Sequence, residues 1–276
     1  FIMKKLGVLP SLFTLGNLLC GFGALAVVAH AEGNSWDREL VVASWLILFA
    51  MIFDLLDGKV ARWTRFTSDF GGQLDSLCDM VTFGAAPGLI VYLLSYRIFH
   101  FAGPIAVLLG GCYIMATALR LARFNVANSH DEESHQFFQG LPSPAAAGAV
   151  ASLVILDQHL IEGHRLMGFA KHDASLALEI LPYVALAAAA LMVSNVPYVH
   201  VTNLLLKRRR RPPELILLGV VFTFFLIKQP EITFFCVFGG YLCCPLASVF
   251  LMKKEELAEE VLEAEEDEDE DEEALI

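Results

Sequence analysis

Of the 276 residues, 56% are hydrophobic and only 18% charged, and the mean hydropathy is +0.59. That composition excludes a soluble domain of this size and makes a bilayer the natural solvent. The formal net charge of −12 describes a tail rather than the body: residues 255–273 hold fourteen acidic and no basic side chains, and without them the remainder stands at +2.

Alternating strand-like patterning of the kind a membrane barrel needs is absent, so the chain reads as all-α, a polytopic bundle of transmembrane helices. Eight apolar stretches follow in order: 9–29, 40–56, 72–94, 102–121, 142–160, 176–194, 215–227 and 232–252. The seventh is the shortest, near the length where a re-entrant segment competes with a full crossing. Residues 1–254 are therefore expected to form one integral membrane domain, and residues 255–276 an acidic, solvated tail too charged to bury surface. No cleavable leader stands out, since the first apolar span is too long.

The six cysteines lie within or at the ends of apolar spans, show no zinc-type spacing, and read as small buried hydrophobes. With the N-terminus in the cytoplasm, fourteen of the 19 Lys and Arg residues fall inside, including the KRRRR run at 207–211. An even number of crossings returns the C-terminus to the same side. The basic run reads as a topology determinant, with docking of anionic lipid head groups as the sharper alternative. No nucleic-acid partner is expected.

The chemistry gathers between the second and third spans, in FDLLDGKVARWTRFTSDFGGQLDSLCDMVTFGAAPG, residues 53–88. Asp54 and Asp57 are three apart and share a face of one helix; Asp75 and Asp79 are four apart and share a face of the next. A charged side chain at a helix centre costs about 2.5–3.5 kcal/mol on insertion scales, so four converging carboxylates call for a cation. Salt bridges to Lys59, Arg62 and Arg65 are the plain alternative, but Arg62 follows the first pair by a turn or more and cannot neutralise all four. Hard oxygen donors without histidine or thiolate suit magnesium, manganese or calcium and argue against zinc or copper. Two divalent ions would cancel four carboxylates, and a two-ion clamp serves in-line displacement at phosphorus. Gly58, Ala61, Gly71 and Gly72 leave room beside the aspartates for a phosphate or a flat base. Membrane aspartates also occur in transporters and channels, but these cluster at one membrane edge and no inverted repeat accompanies them.

The spacing DxxDGxxAR, eight residues, then GxxxDxxxD, carried by Asp54, Asp57, Gly58, Ala61, Arg62, Gly71, Asp75 and Asp79, resembles the signature of the CDP-alcohol phosphatidyltransferase family without a departure. The resemblance covers roughly residues 6–194. It implies a six-helix core, here with about two further helices, and a metal site between the second and third helices holding two Mg2+ or Mn2+ ions. It further implies CMP as leaving group and an alcohol hydroxyl as nucleophile. Carried over, Asp54, Asp57, Asp75 and Asp79 are the implied metal ligands and Asp79 also the general base. The implied contacts to the CDP-lipid are Gly58, Ala61, Arg62, Ser68 and Gly71 in the hairpin, with Ser11 and Thr14 at the entrance of the first helix.

Four further segments resemble the phosphatidylserine synthase branch: GNLLCGFGA at 16–24, DMVTFGAAPG at 79–88, LRLARFNV at 119–126 and FQGLPSPAAA at 138–147. They imply CDP-diacylglycerol as donor and L-serine as acceptor. Arg120 and Arg123 suit an amino acid's carboxylate and Asn125 a polar group, against plain membrane anchoring for the arginines. Glycerol 3-phosphate or an inositol phosphate would call for more basic residues around the pocket. An ether-linked, archaetidyl donor is an alternative that lipid-facing apolar residues do not separate from an acyl one. Helices beyond the core could pack on a second copy in a homodimer.

Overall fold

The computed structural model describes residues 8–31, 36–64, 69–97, 103–128, 138–166, 176–198 and 212–244. The helices are α1 (Val8–Ala29), α2 (Trp36–Thr64), α3 (Asp69–Asp79), α4 (Ala86–Arg97), α5 (Gly103–Asn128), α6 (Ser143–Leu166), the single turn α7 (Leu176–Glu179), α8 (Leu181–Val193), α9 (Pro212–Lys228) and α10 (Pro230–Cys244). A π-helical turn, Met80–Ala85, joins α3 to α4. Among the described residues the only strands are a two-residue antiparallel pair, β1 (Phe138–Gln139) with β2 (Pro197–Tyr198). The basic run at 207–211 and the acidic residues 255–276 lie outside the described residues.

Among the described residues, five stretches are long and apolar enough to cross a bilayer: Ser11–Ala29, Trp36–Val60, Phe70–Arg97, Gly103–Val126 and Ser143–Ile161. The chain is thus an integral, multi-pass, all-α membrane protein. These are the first five of the eight expected spans. The other three are shorter apolar helices as described, Leu181–Val193, Gly219–Lys228 and Pro230–Cys244.

Three expectations about the spans need correction, each for a local reason. The second and fourth helices outrun their apolar stretches, so Asp54, Asp57, Arg120 and Arg123 are each followed by further helical residues. Hydropathy measures how much of a helix lipid covers, whereas the hydrogen-bond ladder continues through charged residues. The sixth span breaks at Ile180, and Pro182, which lacks an N–H, is accommodated in the first turn of α8. The third span is no uniform α-helix: Pro87 cannot donate to Phe83, and the ladder opens into the π-turn, where the Ala86 amide reaches back to Val81 O. The Tyr113 hydroxyl, fully buried on α5, donates to the freed Phe83 carbonyl at 3.3 Å.

Helix α6 lies at the centre of the bundle, with Ala146, Ala147, Val150, Ala151, Leu153, Val154 and Ile155 all buried. Its small residues admit close neighbours; a Cβ at Gly148 would run into the Phe238 ring of α10. That last helix buries one side only, through Thr233, Phe234, Phe235, Phe238 and Tyr241. Cysteine burial accordingly holds for Cys78 but not for Cys236, Cys243 and Cys244, which are exposed on α10.

The start of α6 is pinned by its approach. Gly140 adopts φ +83°, in the left-handed region that a side chain disfavours, and a Cβ there would meet Met192 O at 2.6 Å. Its amide donates to Val196 O and that of Leu141 to Leu191 O, each at 3.0 Å. This lashes the segment before α6 to the end of α8 and sets Ser143 against α5.

Candidate active site

Helices α2 and α3 follow one another in the chain, and the spacing of their aspartates decides what meets. Asp54 and Asp57 of α2 and Asp75 of α3 each offer a carboxylate oxygen, and these atoms lie within 4.8 Å of one another. Asp57 is buried; Asp54 and Asp75 are half-buried. The Thr14 hydroxyl on α1 and the Gly58 amide both hydrogen-bond to Asp57. Asp57 Oδ2 and Asp75 Oδ1 are nevertheless buried without a hydrogen-bond partner. Among the residues whose side chains are described, a set that leaves out Arg62 and Arg65, no lysine or arginine forms an ion pair with any of these aspartates.

Buried carboxylate oxygens without partners are costly, and three facing one another add mutual repulsion. A divalent cation relieves both, and an all-oxygen donor set fits magnesium or manganese. The residues present therefore fit the metal that their spacing implies.

Asp79 lies one turn further along, buried at the junction of α3 with the π-turn. It is within electrostatic reach of Asp54, Asp75 and Asp57, but it stands outside the three-oxygen cluster. Its Oδ1 accepts a hydrogen bond from Asn17 Nδ2 at 2.9 Å. Arg120 of α5 approaches from the other side, within electrostatic reach of Asp79 and Asp54. Its Nη1 donates to Ser143 Oγ at 3.1 Å, while its buried Nε has no hydrogen-bond partner.

The remaining expected site residues divide by position. Gly58 on α2 and Gly72 on α3 face open space, since a Cβ at either would meet nothing within 4 Å. Gly71 sits half-buried in the early turns of α3, and Ser11 half-buried one turn before Thr14. Ala61 and Arg62 lie on the last turns of α2, their side chains outside the described set, and Ser68 falls outside the described residues altogether. Arg123 points away from the cluster. Its Nη1 donates to Val193 O at 2.8 Å and its Nη2 to Asn195 Oδ1 at 2.7 Å, placing a cation at the C-terminus of α8. Asn125 accepts from Ser76 Oγ at 3.0 Å and so ties α5 to α3 beside Asp75. Of the two arginine candidates, Arg120 is the one near the carboxylates, with its Nε unpartnered.

Two residues of this region had no assigned role in the sequence, Asn17 and Thr82, and Ser143 had none that its neighbours argued for. All three are buried polar groups inside or at the start of apolar spans, which is the signal that could have found them.

Comparison with known proteins agrees with the geometry. A family model described as CDP-alcohol phosphatidyltransferase matches residues 7–191. A CDP-diacylglycerol–serine O-phosphatidyltransferase of Helicobacter pylori strain J99 is 33% identical over 256 residues, covering 91% of this chain and 95% of that protein. An archaetidylserine synthase of Methanothermobacter thermautotrophicus is 31% identical over 198 residues, 71% of each chain. A Bacillus subtilis protein of the same name as the first is 32% identical over 138 residues, 50% of this chain and 70% of that one. The matched region runs from α1 to α8 and contains every aspartate of the cluster, and the chain belongs to the CDP-alcohol phosphatidyltransferase family.

Proposed function

We propose that this protein transfers the phosphatidyl group of CDP-diacylglycerol to the hydroxyl of L-serine, forming phosphatidylserine and releasing CMP. The observation that carries the reading is the convergence of Asp54, Asp57 and Asp75, whose oxygens lie within 4.8 Å with two of them buried and unpartnered. These three would hold Mg2+ or Mn2+, with Asp79 completing a two-ion set. When bound, the metal supplies positive charge to the pyrophosphate oxygens and to the departing phosphate.

The chain's own groups account for the rest. Gly58 and Gly72, open to solvent, leave space for the nucleotide's phosphates, with Ser11, Thr14, Ala61, Arg62, Ser68 and Gly71 around it. Arg120 binds the serine carboxylate through its unpartnered Nε, and Ser143 holds the guanidinium in place. Asp79 takes the hydroxyl proton of serine as its oxygen attacks the phosphorus bearing the lipid. A P–O bond to serine forms, the P–O bond to CMP breaks, and CMP leaves with the electron pair. Burial and fixed geometry supply most of the acceleration.

Both termini and the site lie on the cytoplasmic side in this reading, supported by fourteen of 19 basic residues. The homodimer expected from the sequence would pack through α9, where Val220, Val221, Phe222, Phe224, Phe225 and Ile227 are exposed. Native mass spectrometry of the full chain reading only monomer would remove that interface.

The test is CMP release by the purified chain in lipid with CDP-diacylglycerol, Mn2+ and a panel of acceptors. Serine should be the preferred acceptor. Release with glycerol 3-phosphate or inositol phosphate alone would reassign the acceptor, and no release with any alcohol would sink the transferase reading. A CDP-archaeol arm separates ether from ester donors.

A further inference from the structure

We propose that Asn17 is a positioning residue for the transfer: its amide holds Asp79 by one carboxylate oxygen and thereby presents the other to the acceptor hydroxyl. The inference rests on the reading of Asp79 as proton acceptor given above. Asn17 is fully buried on α1, in a run that is otherwise apolar or glycine, LGNLLCGFGALAVV. An amide is expensive to bury there, the more so as its Oδ1 has no hydrogen-bond partner, and the bond that its Nδ2 makes offsets part of that cost. Asn17 Nδ2 supplies that bond to Asp79 Oδ1 at 2.9 Å.

The backbone around Asn17 is fixed without its side chain. Thr82 Oγ1, inside the π-turn, donates to the Asn17 main-chain carbonyl at 3.1 Å. One turn along α1, Gly21 lets the two backbones touch: a Cβ there would run into Thr82 Oγ1 and lie 2.8 Å from Thr82 Cα. Helix α1 is therefore joined to the chain on both sides of the transition from α3 to the π-turn, through Asp79 and through Thr82. Replacing the Asn17 side chain removes only the first link.

The effect should fall on the geometry of the acceptor step. The Asp79 carboxylate can turn about its terminal torsion unless one oxygen is held, and that broad torsion has no strong minimum of its own. Misplacing a reacting group by about 1 Å can cost on the order of 10²-fold in rate. The oxygens of Asp54, Asp57 and Asp75 converge without help from Asn17, whose bond is to Asp79, so capture of the ion held by those three should be largely unaffected.

The experiment compares the full-length protein with Asn17→Ala and the nearly isosteric Asn17→Leu in lipid, reading kcat, the KM for serine, and Mn2+ binding by electron paramagnetic resonance. Both variants should lose about 30- to 100-fold in kcat. The KM for serine and the Mn2+ binding midpoint should stay within about threefold. A kcat within about threefold of the parent, a loss confined to KM, or a loss that raised Mn2+ restores would each overturn the inference. Asn17→Asp keeps the shape and exchanges the donor for an acceptor. Should the first two fail to insert, full turnover in this third variant overturns the proposal equally. If the unaltered chain releases no CMP with any acceptor, the transferase reading fails first, which is a distinct result.

Discussion

The bundle buries carboxylates at two places, and they are built in opposite ways. At one end Asp54, Asp57 and Asp75 face one another with unpartnered oxygens. Toward the other, Asp157 of α6 is 3% exposed and accepts the backbone N–H of Leu178, tying α6 to α7. It lies fourteen residues beyond Ser143, about 21 Å along the helix. Nearby, His159 and Glu231 approach to 3.7 Å, linking α6 to α10. Asp157 also keeps one oxygen without a partner, so a single orphaned oxygen does not make a site. Convergence does: three oxygens within ligand distance are assembled at the first place, and among the described residues none are at the second.

Substitutions can break or sharpen this contrast. The largest effect is expected for Asp79→Asn, which keeps the hydrogen-bonding shape but cannot take a proton: kcat for CMP release should fall by about 10²- to 10⁴-fold while CDP-lipid still binds. Full activity would end its assignment as base. Asp75→Asn removes a charge from the cluster, and the Mn2+ concentration for half-maximal activity should rise by about tenfold or more, read by Mn2+ titration. An unaltered Mn2+ requirement would place the metal elsewhere.

The two arginines offer a finer discrimination. Arg120→Gln should raise the KM for serine about tenfold, the loss of one charge-assisted bond, with CDP-lipid affinity unchanged. Arg123→Gln should instead lower the melting temperature by a few degrees and leave that KM alone, because its donors serve the end of α8. Equal kinetic effects from both would erase the distinction. The smallest functional effect belongs to Asp157→Leu, which strands the Leu178 amide at a cost of about 1–3 kcal/mol in stability. Turnover per folded molecule should remain within about twofold of the parent, and a large kinetic loss would mean that the far end takes part in the chemistry.

The membrane class, the number and order of apolar helices and the pairing of the two aspartate couples were legible because each depends on local spacing. The course of 72–94 was less so. Pro87 announces an interruption, but where the released Phe83 carbonyl finds a donor depends on Tyr113, 30 residues away. Arg120 and Arg123 look equivalent along the chain, three apart on one helix. Only their neighbours, Ser143 for one and the α8 terminus for the other, separate them. Asn17 stands inside a segment distinguished only by its family resemblance, and nothing local to α1 says that Asp79 lies across from it.

From the order of residues alone came the solvent, the helices and the acidic hairpin, since hydropathy and helical periodicity act over a few turns. Which oxygens converge, which arginine keeps a free donor, and which amide grips Asp79 were settled by packing across 18 to 62 residues of chain. Such contacts follow from how buried helices fit together, and no short-range pattern encodes that fit.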